Sequence, residues 1–333
     1  MTSVLDDPLR AARHAVEGGR FRDGWGLLDD QPPALRRTAE WQLLAAMARW
    51  RLGEFGPSHA AALQARDAYR AAGDTDGEMR AENVAAAGAF ARGRLPEAER
   101  GFARALELAE RAGDRLLMAR AANNLGNVAF YRGRHDTALA CYRLARARFA
   151  RAGLPHGEAE ALINVGLAWR ELDRPAEAQE AGDQALEIAE RIQSRRLIAQ
   201  ALAMRGEAIA QAGDAAVGRT LVERARALAR VEDDRLAEIE ALRLRSNIER
   251  EAGDLAAAQQ FGEEALALAR RIHNPWTVAT VLKDLGHLHL RRGDGPTAAR
   301  AFSQAAESYA EIGADVRARR MREEARQASG AVS

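Results

Sequence analysis

The chain has 333 residues, 47% of them hydrophobic but only 5% aromatic, with a formal net charge of +1. Near-zero charge gives no global attraction to nucleic acid, an anionic membrane or an acidic partner, and the single cysteine, Cys141, excludes an intrachain disulfide. No apolar run approaches the ~20 residues needed to cross a bilayer. Met1 to Arg10 carries Asp6 and Asp7 and no hydrophobic segment, so no signal peptide is expected, and a reduced, cytoplasmic setting follows.

In chain order, residues 1–34 form a short opening repeat. Gly19-Arg20-Phe21 resembles Gly53-Glu54-Phe55, and its second helix is predicted to end near Gln31-Pro32-Pro33. Residues 35–314 then repeat every forty positions. Gly53, Gly93, Gly133, Gly213, Gly253 and Gly293 share one phase, with Asp173 in the remaining slot. Twelve residues after each mark comes alanine (Ala65, Ala105, Ala145 and so on to Ala305). Small residues also recur seven positions before the mark (Gly126, Gly166, Gly206, Ser246, Gly286) and five after it (Ser58, Ala98, Ala138, Gly218). Within 114–153 a helical pattern runs from Leu116 to Tyr131, Arg132-Gly133-Arg134 interrupts it, and a second runs from Asp136 to Arg151. Gly73, Gly113, Gly153 and Gly313 mark the ends of second helices. Pro57, Pro96, Pro175 and Pro296 fall in first turns, where proline loses no hydrogen bond. Seven forty-residue repeats are therefore predicted, each helix, turn, helix, turn. An arginine-rich capping helix follows at 315–328, with a disordered tail at 329–333. No segment combines β-branched enrichment with period-two alternation. A period of this length means an all-α solenoid, in which each repeat buries its apolar face only against its neighbours.

The run Asn124-Leu125-Gly126-Asn127-Val128-Ala129-Phe130-Tyr131, followed by Gly133, Ala138 and Ala145, resembles the tetratricopeptide repeat. The resemblance extends over Pro8 to Gln327. Two departures stand out: the proline usual after the second helix is missing, and the repeat is forty residues rather than 34, so both helices are longer. This long form is similar to repeats of kinesin light chains, of bacterial peptide-pheromone receptors and of the sensor domains of some bacterial transcription activators. The resemblance implies a right-handed superhelical solenoid whose first helices line a concave groove that contacts ligands.

Catalytic apparatus is not legible. There is no phosphate-cradling glycine loop, no Gly-x-Ser-x-Gly and no His-Glu-x-x-His. His287 and His289 lie roughly 200° apart on a helix and cannot readily share a metal. Arg292-Gly293-Asp294 is turn chemistry, because Gly-Asp recurs at Gly213-Asp214 and Gly253-Asp254. The asparagines are more informative. Asparagine prefers turns and caps, yet of the seven only Asn274 lies in a turn. The other six fall inside first helices and share phases: Asn83 with Asn123, Asn124 with Asn164, Asn127 with Asn247. Arg80 shares a phase with Arg120, and Arg170 with Arg250. Arg120, Asn123, Asn124, Asn127 and Tyr131 form one helix face. An amide both donates and accepts, matching the alternating N–H and C=O groups of an extended peptide, and arginine adds a site for carboxylate or phosphate. Solvated polar faces or bonds between adjacent helices would explain the same pattern.

Elsewhere on this face the residues vary: Glu40, Met47 and Trp50 early, Glu160 and Arg170 in the middle, Glu207, Arg243, Lys283 and His287 late. The mixture argues against a nucleic-acid channel. The expected function is a non-catalytic scaffold, without cofactor or metal, that binds a protein or peptide through Arg80, Asn83, Arg120, Asn123, Asn124, Asn127, Tyr131, Asn164, Arg170, Arg243, Asn247 and Lys283. The alternatives are a peptide-responsive regulator of a separate transcription factor or ATPase, and a structural homo-oligomer.

Overall fold

The computed structural model describes residues 7–330, and every regular element among them is a helix. The opening repeat is α1 (Arg10–Glu17) and α2 (Phe21–Asp29), followed by a single turn, α3 (Pro33–Arg36). The forty-residue repeats then alternate first and second helices. These are α4 (Ala39–Arg51) and α5 (Phe55–Ala72), α6 (Thr75–Ala91) and α7 (Leu95–Ala112), α8 (Arg115–Tyr131) and α9 (His135–Arg151), and α10 (Pro155–Glu171) and α11 (Pro175–Arg191). They continue as α12 (Arg195–Gln211) and α13 (Ala215–Val231), α14 (Arg235–Ala252) and α15 (Leu255–Arg271), and α16 (Pro275–Arg291) and α17 (Gly295–Glu311). The last helix, α18 (Asp315–Gly330), runs two residues past the expected end of the cap, and the rest of the expected tail, 331–333, lies outside the described residues. Contacts divide the chain into two compact units, Met1–Val128 and Ala129–Ser333, with the boundary inside α8.

Turn chemistry sets the helix ends. The glycines at 53, 93, 133, 213, 253 and 293 all have positive φ, and Asp173 takes the same left-handed conformation at φ 58°. Gln193, Asp233 and His273 do so where Gly73, Gly113, Gly153 and Gly313 set the pattern between repeats. The next helix is often capped by Asp or Asn. Asp214, Asp254 and Asp294 accept the backbone N–H of Val217, Ala257 and Thr297 at 2.9–3.0 Å, and Asn274 accepts that of Thr277. The Arg292-Gly293-Asp294 tripeptide is thus a helix end, a left-handed turn and a cap.

The alanine series is the centre of the packing: Ala65, Ala105, Ala145, Ala185, Ala225, Ala265 and Ala305 are all at most 2% exposed. The two series of small residues face each other across the helix pair. Ser246 Oγ donates to the Ala258 carbonyl at 2.7 Å, and Ser58 Oγ donates the opposite way, to the Ala46 carbonyl, at 2.8 Å. Larger residues fill the gaps between layers, among them Leu162, Leu197, Leu202, Val222 and Leu244 in the carboxy-terminal unit. In the amino-terminal unit Leu9, Val16, Leu28 and Trp41 play this part, and the Trp41 indole donates to the Leu28 carbonyl at 2.8 Å. Glycine is required where a ring closes over the backbone: a Cβ on Gly286 would lie 2.5 Å from the Phe302 ring. Gly286→Ala is therefore expected to destabilise the fold by about 1 to 3 kcal/mol, read as a lower midpoint in urea unfolding.

Within each unit the first helices also pack on one another, α4 on α6 and then α10 on α12, α12 on α14 and α14 on α16. No pair of second helices within either unit packs comparably among the described residues. In each unit the first helices thereby form an inner layer, and the candidate residues lie on it.

Candidate functional site

In the amino-terminal unit the inner layer presents amides. Asn83 on α6 and Asn123, Asn124 and Asn127 on α8 are half-buried, and Arg80 and Arg120 are exposed. The Asn124 side chain donates to Asn83 Oδ1 at 3.4 Å, so amides of successive first helices touch, and Arg80 pairs with Asp76 one turn away at 2.8 Å. Both arginines stay close to water.

In the carboxy-terminal unit the same phases carry charge. Arg243 and Lys283 stand where Asn83 and Asn123 stand, Glu240 where Arg80 and Arg120 stand, Asp284 where Asn124 stands, and Glu207 where Asn127 stands. These side chains bond across helices. Arg170 on α10 donates to Glu207 on α12 and to Glu240 on α14, both at 3.1 Å. Arg243 holds Glu240 through two nitrogens, at 2.9 and 2.7 Å, and reaches Asp284 on α16. Asn247 donates to Asp284 at 3.0 Å, and Lys283 lies 3.4 Å from it. A side chain on α10 thus reaches a helix two repeats away. Asn164 is half-buried on α10. Arg170, Arg243, Asn247 and Lys283, expected from sequence to meet a ligand, already meet their own chain.

Electrostatics follow from this pairing. Burial alone would raise the Glu240 carboxyl, but the Arg243 and Arg170 guanidiniums outweigh it and hold it at about 2. Asp284 is likewise driven far below the usual carboxylate range, burial being overcome by Lys283, Arg243 and Arg250. Arg170 is raised: burial opposes its charge, and Glu207 and Glu240 more than compensate. Glu240, Asp284, Arg170, Arg243 and Lys283 are therefore ionised at neutral pH.

Beside the ladder, Tyr131 stacks on Trp276 of α16 with centroids 3.9 Å apart, and Trp276 in turn meets Tyr309 at 5.4 Å. The Arg317 guanidinium of α18 lies over Trp276 and Phe130 at 4.8 and 5.2 Å and pairs with Glu171 at 2.9 Å. Burial pushes the Tyr131 hydroxyl up to about 12. Sequence phase located Arg170, Glu207, Arg243, Asn247 and Lys283, but Glu240, Asp284, Glu171, Trp276 and Arg317 were missed. The one available signal was a tryptophan opening α16 in a chain poor in aromatics. Among the described residues no group of three or more His, Cys, Asp and Glu is arranged to hold a metal, and no helix is long and apolar enough to cross a membrane.

The tetratricopeptide-repeat family profile matches residues 78–149 and 117–191, overlapping windows that span α6 to α11. Residues 78–191 are thus similar to tetratricopeptide repeats. Solved structures similar to this chain include a Rap protein crystallised with competence and sporulation factor, at TM-score 0.65 and 13% identity, covering 97% of this chain and 98% of that one. The apo quorum sensor NprR of B. thuringiensis has TM-score 0.61 and 11% identity, with 97% of each chain covered. A signal-transduction ATPase with numerous domains and a tetratricopeptide-repeat sensor, from Pyrococcus horikoshii, has TM-score 0.61 and 15% identity, covering 89% of this chain and 44% of that one. These likenesses show the fold. In sequence, the chain is 35% identical to the regulatory protein AfsR of Streptomyces griseus over 141 residues, 41% of this chain, and it spans 14% of that relative's length.

Proposed function

We propose that this chain is a non-catalytic, cytoplasmic scaffold that holds an extended peptide segment of a partner protein. The amide-bearing face of the amino-terminal unit is the docking surface. One observation carries the reading. The same helix phases that are cross-linked by ion pairs in the carboxy-terminal unit present amides and two exposed arginines on α6 and α8. Amides at Asn83, Asn123, Asn124 and Asn127 match a peptide backbone that donates and accepts in alternation, and Arg80 and Arg120 suit a peptide carboxylate. Neither nucleic acid nor membrane fits this sparse charge. Each such hydrogen bond contributes about 0.5 to 1.5 kcal/mol net.

The test begins with a peptide selected from a random display library against the full chain. Isothermal titration of that peptide with the Asn123→Ala, Asn127→Ala double variant should give a Kd roughly five- to a hundred-fold weaker than the parent. Unchanged affinity would remove the amide face from the reading.

A second reading, a peptide-responsive regulator acting on a separate transcription factor or ATPase, is favoured by the likeness to a regulatory protein and by the peptide-bound Rap structure and quorum sensor among similar folds. Small-angle scattering with the selected peptide distinguishes the two: a regulator changes its radius of gyration on binding, and a passive scaffold does not.

A further inference from the structure

Solenoid stability is normally a sum over neighbouring repeats, yet in the carboxy-terminal unit the end of α8 and the turn after it touch helices several repeats further on. Tyr131 stacks on Trp276 at 3.9 Å, and Phe130 lies 6.0 Å from the same indole. Arg317 closes over Phe130 and Trp276 and is held at 2.9 Å by Glu171 from the end of α10. Opposite Gly133, in the turn between α8 and α9, stands Val316 of α18, whose Cβ is 3.6 Å from the position a Cβ on that glycine would take.

These contacts share helices with the charged ladder. Glu171 follows Arg170 on α10, and Lys283 lies two turns beyond Trp276 on α16. A stack and a guanidinium over two rings are individually modest interactions, whereas the helix pairs on either side are packed along their length. The closure is therefore the first long-range contact to yield when the unit opens locally.

We propose that Tyr131, Trp276 and Arg317 form a reversible latch that closes the carboxy-terminal unit on itself beside the Arg170–Glu240–Arg243–Asp284 ladder. The latch is a property of the free chain and holds whether or not the amino-terminal amides take a peptide.

Hydrogen exchange on the full chain tests it with two variants. The first, Gly133→Cys with Val316→Cys in a Cys141→Ala background, places two thiols at disulfide separation. Asp173 shows that a side chain is accepted at the equivalent left-handed turn position. Oxidation should form the bond and slow exchange in residues 129–135, 276–280 and 309–317 together, by tenfold or more, and reduction should restore it. The second, Arg317→Gln, should speed exchange in the same three segments together. Failure of the disulfide to form in a folded variant, or changes confined to α18 in either variant, would overturn the latch and leave Arg317 as a residue that merely seats the last helix.

Discussion

Replacing Arg243 with alanine should cost the carboxy-terminal unit about 3 to 5 kcal/mol, because it breaks a buried ion network and leaves its carboxylates behind. Arg243 is 4% exposed and bonds Glu240 through two nitrogens and Asp284 through a third. Without it, Glu207, Glu240 and Asp284 share the inner layer with only Arg170, Arg250 and Lys283 close by, and Asp284, 7% exposed, has little water to turn to. The size of the effect reflects the carboxylates left uncompensated rather than the worth of the pair. Replacing Arg243, Glu240 and Asp284 together by methionine, leucine and leucine should accordingly cost far less than the single change. Urea unfolding of both variants decides the matter. A single variant within about 0.5 kcal/mol of the parent, the range of an ordinary surface change, would mean that the ladder is a solvated face.

Acidification should unfold the carboxy-terminal unit first. The folded carboxyls of Glu240, Asp284 and Glu171 are all depressed, burial being overcome in each by neighbouring cations, above all Arg243 for Glu240, Lys283 for Asp284 and Arg317 for Glu171. A carboxyl depressed on folding adds stability that is complete above its unfolded value of about 4 and is lost as pH falls through the folded value. The loss therefore starts near pH 4.5, passes through the Glu240 value of about 2 and continues below it for Glu171 and Asp284. Glu240 is partly open to solvent, so its share is the smallest of the three. In the amino-terminal unit, buried Glu82 has the opposite sign: burial raises its carboxyl above the ordinary value despite Arg66 and Arg70, so acid relieves a cost there. Hydrogen exchange at pH 6 and pH 3 should show protection falling in α10, α14 and α16 before α5 to α7, and Arg243→Met should flatten that dependence. Equal loss in both units would contradict the assignment.

The fold was legible because its determinants are local and repeated. A glycine at a left-handed turn, an alanine where two helices cross and an aspartate at a cap each act within one repeat, so the forty-residue phase carried them all. Three left-handed turns evaded the glycine signal, since Gln193, Asp233 and His273 adopt the conformation without it, whereas Asp173 was placed by the phase alone. Phase also placed the polar inner positions, but a position does not name its partner. Arg243 and Asn123 share a phase, yet Arg243 is locked between Glu240 and Asp284, partners that the phase alone does not name. Arg317 was the hardest to foresee. It acts on Phe130, 187 residues away, a distance at which no repeat pattern carries information.

The contact of Tyr131 with Trp276 also restricts how this chain can change in length. An open array tolerates the gain or loss of a whole copy, because each new neighbour repeats the last interface. Between α9 and α16 that freedom is gone: one forty-residue copy more or fewer would carry the indole past its tyrosine and Arg317 past Glu171. Copy number in this stretch is set by the rings that meet across it.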